Sequence, residues 1–334
     1  MKHWFGVLLV LMILLAAQIA DAQENETLNS FAIHPRGEFI AIATSEVGCY
    51  KEQTDGYKVR IVSYPDSDLM SMIDVGATCQ IMNLQWSSDG RYLIIVAEGS
   101  NAYVWDSQAQ QLVSTSEPFS MGQRYGDKFS PDTTLVANAS ERAGIVIWDP
   151  LTGDKIRSVF EGKNSIGITW SPDGQYLATS FHSDGVRTCP ILESATLIQI
   201  AALACDAWTI LWSPNGDFII TASQTTVSLW DAHTYSLIRQ LDEELGFYHW
   251  QWMPDSRYVA ASMDNQSLVV WDVRTGLRTL SYPLIQAVRD FDISPIDGSI
   301  VYLPYDNPLG ENGPGLQIVE IPVETSTPEP TPTK

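Results

Sequence analysis

The sequence predicts an all-β fold made of seven equivalent four-stranded units. Three observations predict it: a turn motif that recurs at a nearly constant interval, a strand-like run after each copy, and a Trp-Asp pair in four units. The motif reads IHPRG, WSSDG, FSPDT, WSPDG, WSPNG, WMPDS and ISPIDG, with third residues at 35, 88, 131, 172, 214, 254 and 295. After the first step, the interval lies between 40 (214 to 254) and 43 residues (88 to 131). Such a period is typical of a repeat protein.

Each unit begins with a β-hairpin. The motif is followed by runs such as EFIAIATS, RYLIIVAE and DFIITAS, which are rich in β-branched and aromatic residues and bounded by turn formers. Ser171-Pro172-Asp173-Gly174 fits a type I turn, because Pro fixes φ at the second position and Gly suits the fourth. We therefore expect the strand before each motif to pair with the run after it.

A third and a fourth strand complete each unit. The segments NAYVWDSQAQQLVS, GIVIWDPLTGDKIRSV, TVSLWDAHTYSLIRQL and SLVVWDVRTGLRTL each contain a strand that ends in Trp-Asp, a turn and a further strand. Their tryptophans are Trp105, Trp148, Trp230 and Trp271. Cys189 takes this place in the fourth unit, 41 residues from both Trp148 and Trp230.

Seven such units resemble the WD-repeat β-propeller family, over residues 29–322. The resemblance implies a seven-bladed β-propeller of four-stranded antiparallel blades. The family's Gly-His dipeptide is absent from every unit, and the Asp before the third strand is not at its expected offset. The family's buried Asp-His-Ser/Thr-Trp network therefore cannot be assumed. Other propellers with Ser-Pro-Asp-Gly turns, including those of exported Tol-type proteins, remain the alternative family.

The two ends of the chain differ from the repeats. Residues 1–22 combine Lys2, a short apolar run and the small-x-small pattern Ala20-Asp21-Ala22, which predicts a signal peptide cleaved after Ala22. An uncleaved anchor is the alternative, but the apolar run is short for a membrane span. Residues 23–28 form a leader that could supply the outer strand of the last blade, because residues 323–334 are too rich in Pro and Thr for one. We expect a secreted or periplasmic protein.

The net charge limits the classes of possible partner, and the cysteine content indicates the cellular compartment. The formal net charge of −21 disfavours nucleic acid and anionic membrane surfaces, which leaves a protein or peptide partner for what we expect to be a monomer. The repeat register brings Cys49 near Cys79 and Cys189 near Cys205, so we expect these two disulfides. The alternative for Cys189 is a small buried hydrophobe in the place of Trp. The cysteine spacing predicts no zinc site.

Candidate binding residues come from the strand before each turn motif. Polar residues alternate with apolar ones there, so one wet face is expected to line the central channel. The end of the channel opposite the turn motifs is called the top face. There we expect large side chains around the channel mouth. These residues are Tyr125, Trp208, Tyr248 and Arg289. Packing between blades is the alternative for the aromatic ones.

Two functions from different classes fit the sequence. The first is a non-enzymatic scaffold that binds a protein or peptide through the top face. The second is a hydrolase or lyase, for which His249, Asp290 and Asp292 form the one acid/base set that the register brings together. The chain contains no established catalytic motif, and the sequence predicts no cofactor or metal site. The scaffold is therefore the favoured prediction.

Overall fold

The computed structural model describes thirteen stretches of the 334-residue chain, and all structural statements below refer to them. The described residues are 26–46, 57–64, 68–76, 80–97, 101–116, 124–140, 143–183, 186–223, 226–242, 247–263, 267–284, 288–304 and 316–319. In this part of the chain, no helix is long and apolar enough to cross a membrane. The predicted signal peptide and the Pro/Thr-rich tail lie outside the described residues.

The described residues form 27 β-strands in seven antiparallel sheets. We call the six four-stranded sheets blades 1 to 6 and the last, three-stranded sheet the closing sheet. Blade 1 comprises β1 (Glu26–Ile33), β2 (Phe39–Glu46), β3 (Tyr57–Ser63) and β4 (Leu69–Asp74), and blade 2 comprises β5 (Ile81–Trp86), β6 (Tyr92–Ala97), β7 (Ala102–Asp106) and β8 (Gln111–Thr115). Blade 3 comprises β9 (Arg124–Phe129), β10 (Val136–Ser140), β11 (Gly144–Trp148) and β12 (Lys155–Val159), and blade 4 comprises β13 (Asn164–Trp170), β14 (Tyr176–Ser183), β15 (Val186–Glu193) and β16 (Gln199–Leu203). Blade 5 comprises β17 (Thr209–Trp212), β18 (Phe218–Ala222), β19 (Val227–Asp231) and β20 (Leu237–Asp242), and blade 6 comprises β21 (Phe247–Trp252), β22 (Tyr258–Met263), β23 (Ser267–Asp272) and β24 (Leu277–Pro283). The closing sheet comprises β25 (Val288–Ile293), β26 (Ile300–Pro304) and β27 (Gln317–Val319).

The prediction of a seven-bladed propeller of four-stranded blades is wrong. The described residues contain six four-stranded blades, and the last sheet has three strands. The predicted leader does not supply a fourth strand over the residues described, because Glu26, Thr27 and Leu28 pair with β2 in blade 1. The all-β class, the antiparallel pairing and the order of strands within each blade are as predicted.

The first strands of the sheets form a closed ring. Each of β1, β5, β9, β13, β17, β21 and β25 contacts the next, and β25 contacts β1. Seven apolar clusters lie between neighbouring sheets around this ring, including one between the closing sheet and blade 1. The core is thus divided among the sheet interfaces, where the Trp-Asp tryptophans are buried.

The turn motifs close the hairpins as the sequence predicts. Gly174 N donates to Ser171 O at 2.9 Å, and Gly174 has a φ of +73°, which glycine adopts without strain. Ser171 Oγ donates to Asp173 Oδ1 at 2.5 Å and accepts from Tyr176 N at 2.9 Å. The same side-chain bonds recur around Ser87, Ser130 and Ser213, which explains why the motif repeats.

Tryptophans that open the motif join neighbouring blades. Trp170 in blade 4 donates its indole N–H to Lys128 O in blade 3 at 2.9 Å. Equivalent bonds run from Trp86 to Ala32 O and from Trp252 to Leu211 O. These bonds satisfy a buried indole donor and fix β5, β13 and β21 against the preceding inner strand, whereas Trp212 donates to Gly216 O in its own turn.

Candidate functional site

The polar faces of five inner strands surround one cavity in the channel. The cavity has a volume of about 290 Å³ and extends to the turn end of the channel at Pro35 and Trp86. Its polar lining consists of three amides, one ammonium group, one imidazole and two carboxyls. These belong to Asn83, Gln85, Gln251, Lys128, His249, Asp290 and Asp292. A second cavity, of about 330 Å³, lies beside it among the turn motifs and shares Gln85 and Lys128.

The two carboxyls bind backbone and side-chain donors of blade 1. Asp290 Oδ2 accepts from Ser30 Oγ at 2.8 Å and from Phe31 N at 3.2 Å. Asp292 Oδ2 accepts from Ile33 N at 2.8 Å. Each bond joins residues about 260 positions apart in the chain. The carboxyls therefore connect the closing sheet to blade 1 and help to close the ring.

Burial raises the pKa of both carboxyls. Burial raises the pKa of Asp292 to about 6, against the opposing effect of hydrogen bonds from Ile33 N and Ile293 N. Asp292 Oδ1 also accepts from Gln251 Nε2 at 2.6 Å. Burial likewise raises the pKa of Asp290, and the nearby imidazole of His249 acts in the opposite direction. The two groups thus hold protons more tightly than exposed aspartates do.

The predicted acid/base set converges on this cavity without forming a hydrogen-bonded pair. His249 Nδ1 lies 3.9 Å from Asp290 Oδ1, which exceeds hydrogen-bond distance. The His249 side chain is 45% exposed, whereas both carboxyls are occupied by donors of blade 1. In the described part of the chain, no group of three or more His, Cys, Asp or Glu side chains could hold a metal ion. This geometry favours a structural role for the two aspartates.

Trp208 forms an exposed platform on the top face, between blades 4 and 5. Its side chain is 37% exposed, and the Arg187 guanidinium stacks over the indole at 3.9 Å. Arg187 also pairs with Asp206 at 2.8 Å. Trp208 N donates to Ala222 O, which anchors the platform to β18. We call Arg187, Asp206 and Trp208 the top-face cluster. A neighbouring cavity of about 280 Å³ includes Asp206 in its lining.

The other residues predicted for the channel mouth lie in inner strands. Tyr125 lies in β9, Tyr248 in β21 and Arg289 in β25. Their side chains are outside the described part of the structure, so their role as binding residues stays a prediction.

A disulfide holds the top-face cluster in place. Cys189 and Cys205 are bonded, with a Cα–Cα distance of 5.9 Å, as the sequence predicted. Cys189 is buried, but the prediction that it takes the place of the Trp-Asp tryptophan is wrong, because Leu192 pairs with Leu177 as Trp230 pairs with Ile219. Arg187 precedes Cys189 by two residues, and Asp206 follows Cys205 directly. The predicted pair Cys49 and Cys79 lies outside the described residues.

Family comparison matches two segments of the chain, one of which contains Trp230-Asp231. The WD40 family model, described as WD domain, G-beta repeat, matches residues 154–186 and 201–231. These two matches, together with the relatives below, support the predicted resemblance to the WD-repeat β-propeller family. WD-repeat propellers generally bind protein partners.

Several WD-repeat proteins are similar to the chain over part of their length. THO complex subunit 3 of Arabidopsis thaliana is 24% identical over 220 residues, which is 63% of this chain and 68% of that protein. Small ribosomal subunit protein RACK1y of Oryza sativa subsp. japonica is 24% identical over 44% of this chain and 46% of its own length. WD repeat-containing protein AAC3 of Dictyostelium discoideum is 25% identical over 42% of this chain, which spans 30% of AAC3.

A solved propeller has the same fold. The crystal structure of the Myceliophteria thermophila Cps50 (Swd1) β-propeller domain superposes with a TM-score of 0.69 at 16% identity. The match covers 84% of this chain and 93% of that one. At this identity the match establishes the fold alone.

The WD-repeat aspartates have a structural role in the turn between the third and fourth strands. Asp106 Oδ1 accepts from Gln108 N and Ala109 N, and its Oδ2 binds the Arg91 guanidinium at 3.0 Å. Asp272 makes the same contacts, with Arg257 as the cation. The pKa of each aspartate is lowered, because these donors outweigh the opposing effect of burial.

Blade 3 contains a partial equivalent of the family's buried network. Asp127 is fully buried, with Oδ1 accepting from Trp148 Nε1 at 3.3 Å and Oδ2 from Asn138 Nδ2 at 3.2 Å. The sequence signal was available, since Asp127 stands where the other inner strands mostly have an apolar residue.

Arg187 and Asp206 were missed as neighbours of Trp208. Their signal was their position beside the predicted disulfide, which brings β15 next to the segment before β17.

Proposed function

We propose that the chain is an exported, non-enzymatic scaffold that binds a protein or peptide through the top face. The observation that carries the proposal is the top-face cluster. Trp and Arg are the residue types that most often dominate binding energy at interfaces. Here a half-exposed Trp208 lies under the Arg187 guanidinium, beside a cavity on the same face. This arrangement supplies an aromatic surface and a concave site next to each other.

Rigidity supports a binding role for this cluster. The Cys189–Cys205 bond joins the strand that carries Arg187 to the segment that carries Asp206 and Trp208. A surface fixed before binding loses less conformational entropy when the partner arrives.

Charge indicates what kind of partner fits. The formal net charge of −21 attracts cationic surfaces and repels anionic ones. Within the cluster, Asp206 is 74% exposed and can contact a cationic residue of the partner. We therefore propose a basic protein segment as the partner. The relatives named as a THO complex subunit and a small ribosomal subunit protein are, by name, members of larger assemblies, which supports a scaffold role.

Export is supported by two observations. The N-terminal 22 residues have the features of a signal peptide, and the described part contains a disulfide, a bond that persists in oxidising compartments. Mass spectrometry of the protein expressed with its native N-terminus should find Gln23 as the first residue. A chain that keeps residues 1–22 and stays in the cytosol would contradict export.

Binding is best tested by peptide display. A random peptide library is selected on the purified wild-type protein and then counter-selected on Trp208→Ala. Leu277→Ala serves as the matched control, because Leu277 is a large apolar side chain exposed on an outer strand of blade 6. We expect enriched peptides to be basic, to bind the control variant and to lose binding to Trp208→Ala. Peptides that bind wild type and Trp208→Ala equally would remove the top-face cluster as the binding surface.

A further inference from the structure

The channel cavity carries opposite charges on opposite walls. Lys128 lies in blade 3, while Asp290 and Asp292 lie in the closing sheet across the ring. All three line the same cavity of about 290 Å³. The ion pairs found among the described residues do not include Lys128, so no carboxylate there lies within 4.0 Å of its ammonium group.

A partly buried cation without a direct partner is unfavourable. Burial lowers the pKa of Lys128, and the charges of Asp292, Asp290 and Asp127 act in the opposite direction. A buried charge is normally stabilised by direct pairing. Here the opposing charges act from across the cavity, which leaves room for a ligand between them.

The opposite wall has acceptor capacity left. Asp290 uses Oδ2 for its two bonds to blade 1, while its Oδ1 lies 3.9 Å from His249 Nδ1. On the Lys128 side, the buried side-chain oxygens of Asn83 and Gln85 in the neighbouring strand β5 have no donor among the described residues. Such amides carry N–H groups that can donate to a ligand carboxylate held at Lys128.

The charge pattern selects for ligands with two charges. A simple anion would be attracted by Lys128 and repelled by the two aspartates. A simple amine would be attracted by the two aspartates and repelled by Lys128. A zwitterion can place its carboxylate on Lys128 and its ammonium group on the other wall. Ligand pockets usually span about 300–1,000 Å³, so a cavity of about 290 Å³ is at the lower limit and suits only a very small molecule.

We infer that the channel cavity binds a zwitterionic small molecule of the α-amino acid class, oriented between Lys128 and Asp290. The site is separate from the top-face cluster and does not depend on the proposed scaffold function. The half-exposed imidazole of His249 lies at the cavity wall.

Isothermal titration calorimetry on the full-length protein tests the inference. The probes are the common amino acids, each compared with the carboxylic acid that lacks its amine and the amine that lacks its carboxylate, as in alanine, propionate and ethylamine. We expect at least one amino acid to bind, and its two singly charged counterparts to bind at least about 10-fold more weakly, since each loses a charge-assisted contact. Lack of binding by every amino acid at millimolar concentration would overturn the inference, as would equal binding of the counterparts.

Variants locate the site. Lys128→Met removes the cation and keeps the length of the side chain, and should weaken binding at least about 10-fold. Lys155→Met removes an exposed lysine of the same blade and should leave binding unchanged. Unchanged binding by a folded Lys128→Met would also overturn the inference. If that variant does not fold, the comparison of charged analogues on the wild type decides.

Discussion

Asp290→Ala should weaken the contact that closes the ring. The Asp290 carboxyl accepts from Ser30 Oγ at 2.8 Å and from Phe31 N at 3.2 Å, and Ser30 is buried. Alanine leaves both donors of blade 1 without this acceptor. A buried donor that loses its partner costs about 1–3 kcal/mol. Because the variant also removes the cost of burying the carboxyl, we expect a net loss of about 2–3 kcal/mol in the free energy of unfolding.

Urea denaturation at pH 7.5, followed by tryptophan fluorescence, measures this loss. Asp290→Asn is the informative comparison, because its amide oxygen can still accept from Ser30 Oγ and Phe31 N, and it should lose about 1 kcal/mol or less. Asp154→Ala, at an exposed position of blade 3, should stay within about 0.5 kcal/mol of wild type. If Asp290→Ala is no less stable than Asp154→Ala, the carboxyl does not hold the closing sheet to blade 1.

Three further variants test other parts of the fold. The raised pKa of Asp292 means that the native state binds this proton more tightly than the unfolded state does. The resulting contribution to the free energy of unfolding is complete below about pH 4 and is lost as the pH rises through about 6. The stability of wild type relative to Asp292→Asn should therefore fall between pH 4 and 7 in urea titrations, and a constant difference would contradict the shift. Replacing Cys189 and Cys205 by alanine opens a loop with a sequence separation of 16 and should cost about 3 kcal/mol, whereas a cost near zero under oxidising conditions would contradict a stabilising bond. Gly153→Ala should be more destabilising than Gly162→Ala by calorimetry, because the two glycines have φ of +81° and +80° but an added Cβ at Gly153 would lie 2.2 Å from a backbone oxygen. Equal losses would show that φ alone sets the cost.

The local parts of the fold could be predicted because they depend on nearby residues. Ser171, Asp173 and Gly174 bond within six residues of one another, so their spacing alone predicts the turn. The Cys189–Cys205 pair was predicted from sequential proximity, although the 41-residue spacing placed Cys189 in the tryptophan position that Leu192 occupies.

Ring closure could not be predicted in this way. Ser30 and Asp290 are 260 residues apart, and nothing in the local pattern around Asp290 indicates its partner. Alternation of polar and apolar residues did place His249, Asp290 and Asp292 on one cavity. It could not distinguish a catalytic carboxyl from one that binds backbone donors, because that depends on contacts across the sheet interface.

The number of strands in the last sheet was also beyond the sequence pattern. The prediction of seven equal blades followed from the count of turn motifs, and the motif at Pro295 does begin a sheet. A turn motif specifies the first hairpin of a sheet and carries no information on its outer strand. The Pro- and Thr-rich tail was the one sequence feature that pointed to a different last sheet.

The scaffold account is tested most directly by the amide hydrogen-exchange footprint of a selected peptide on the wild-type protein. We predict slower exchange in residues 186–189 and 203–208, which carry the top-face cluster, and unchanged exchange at the turn motifs on the opposite face. Protection of the turn motifs with no change in residues 203–208 would contradict binding through the top face.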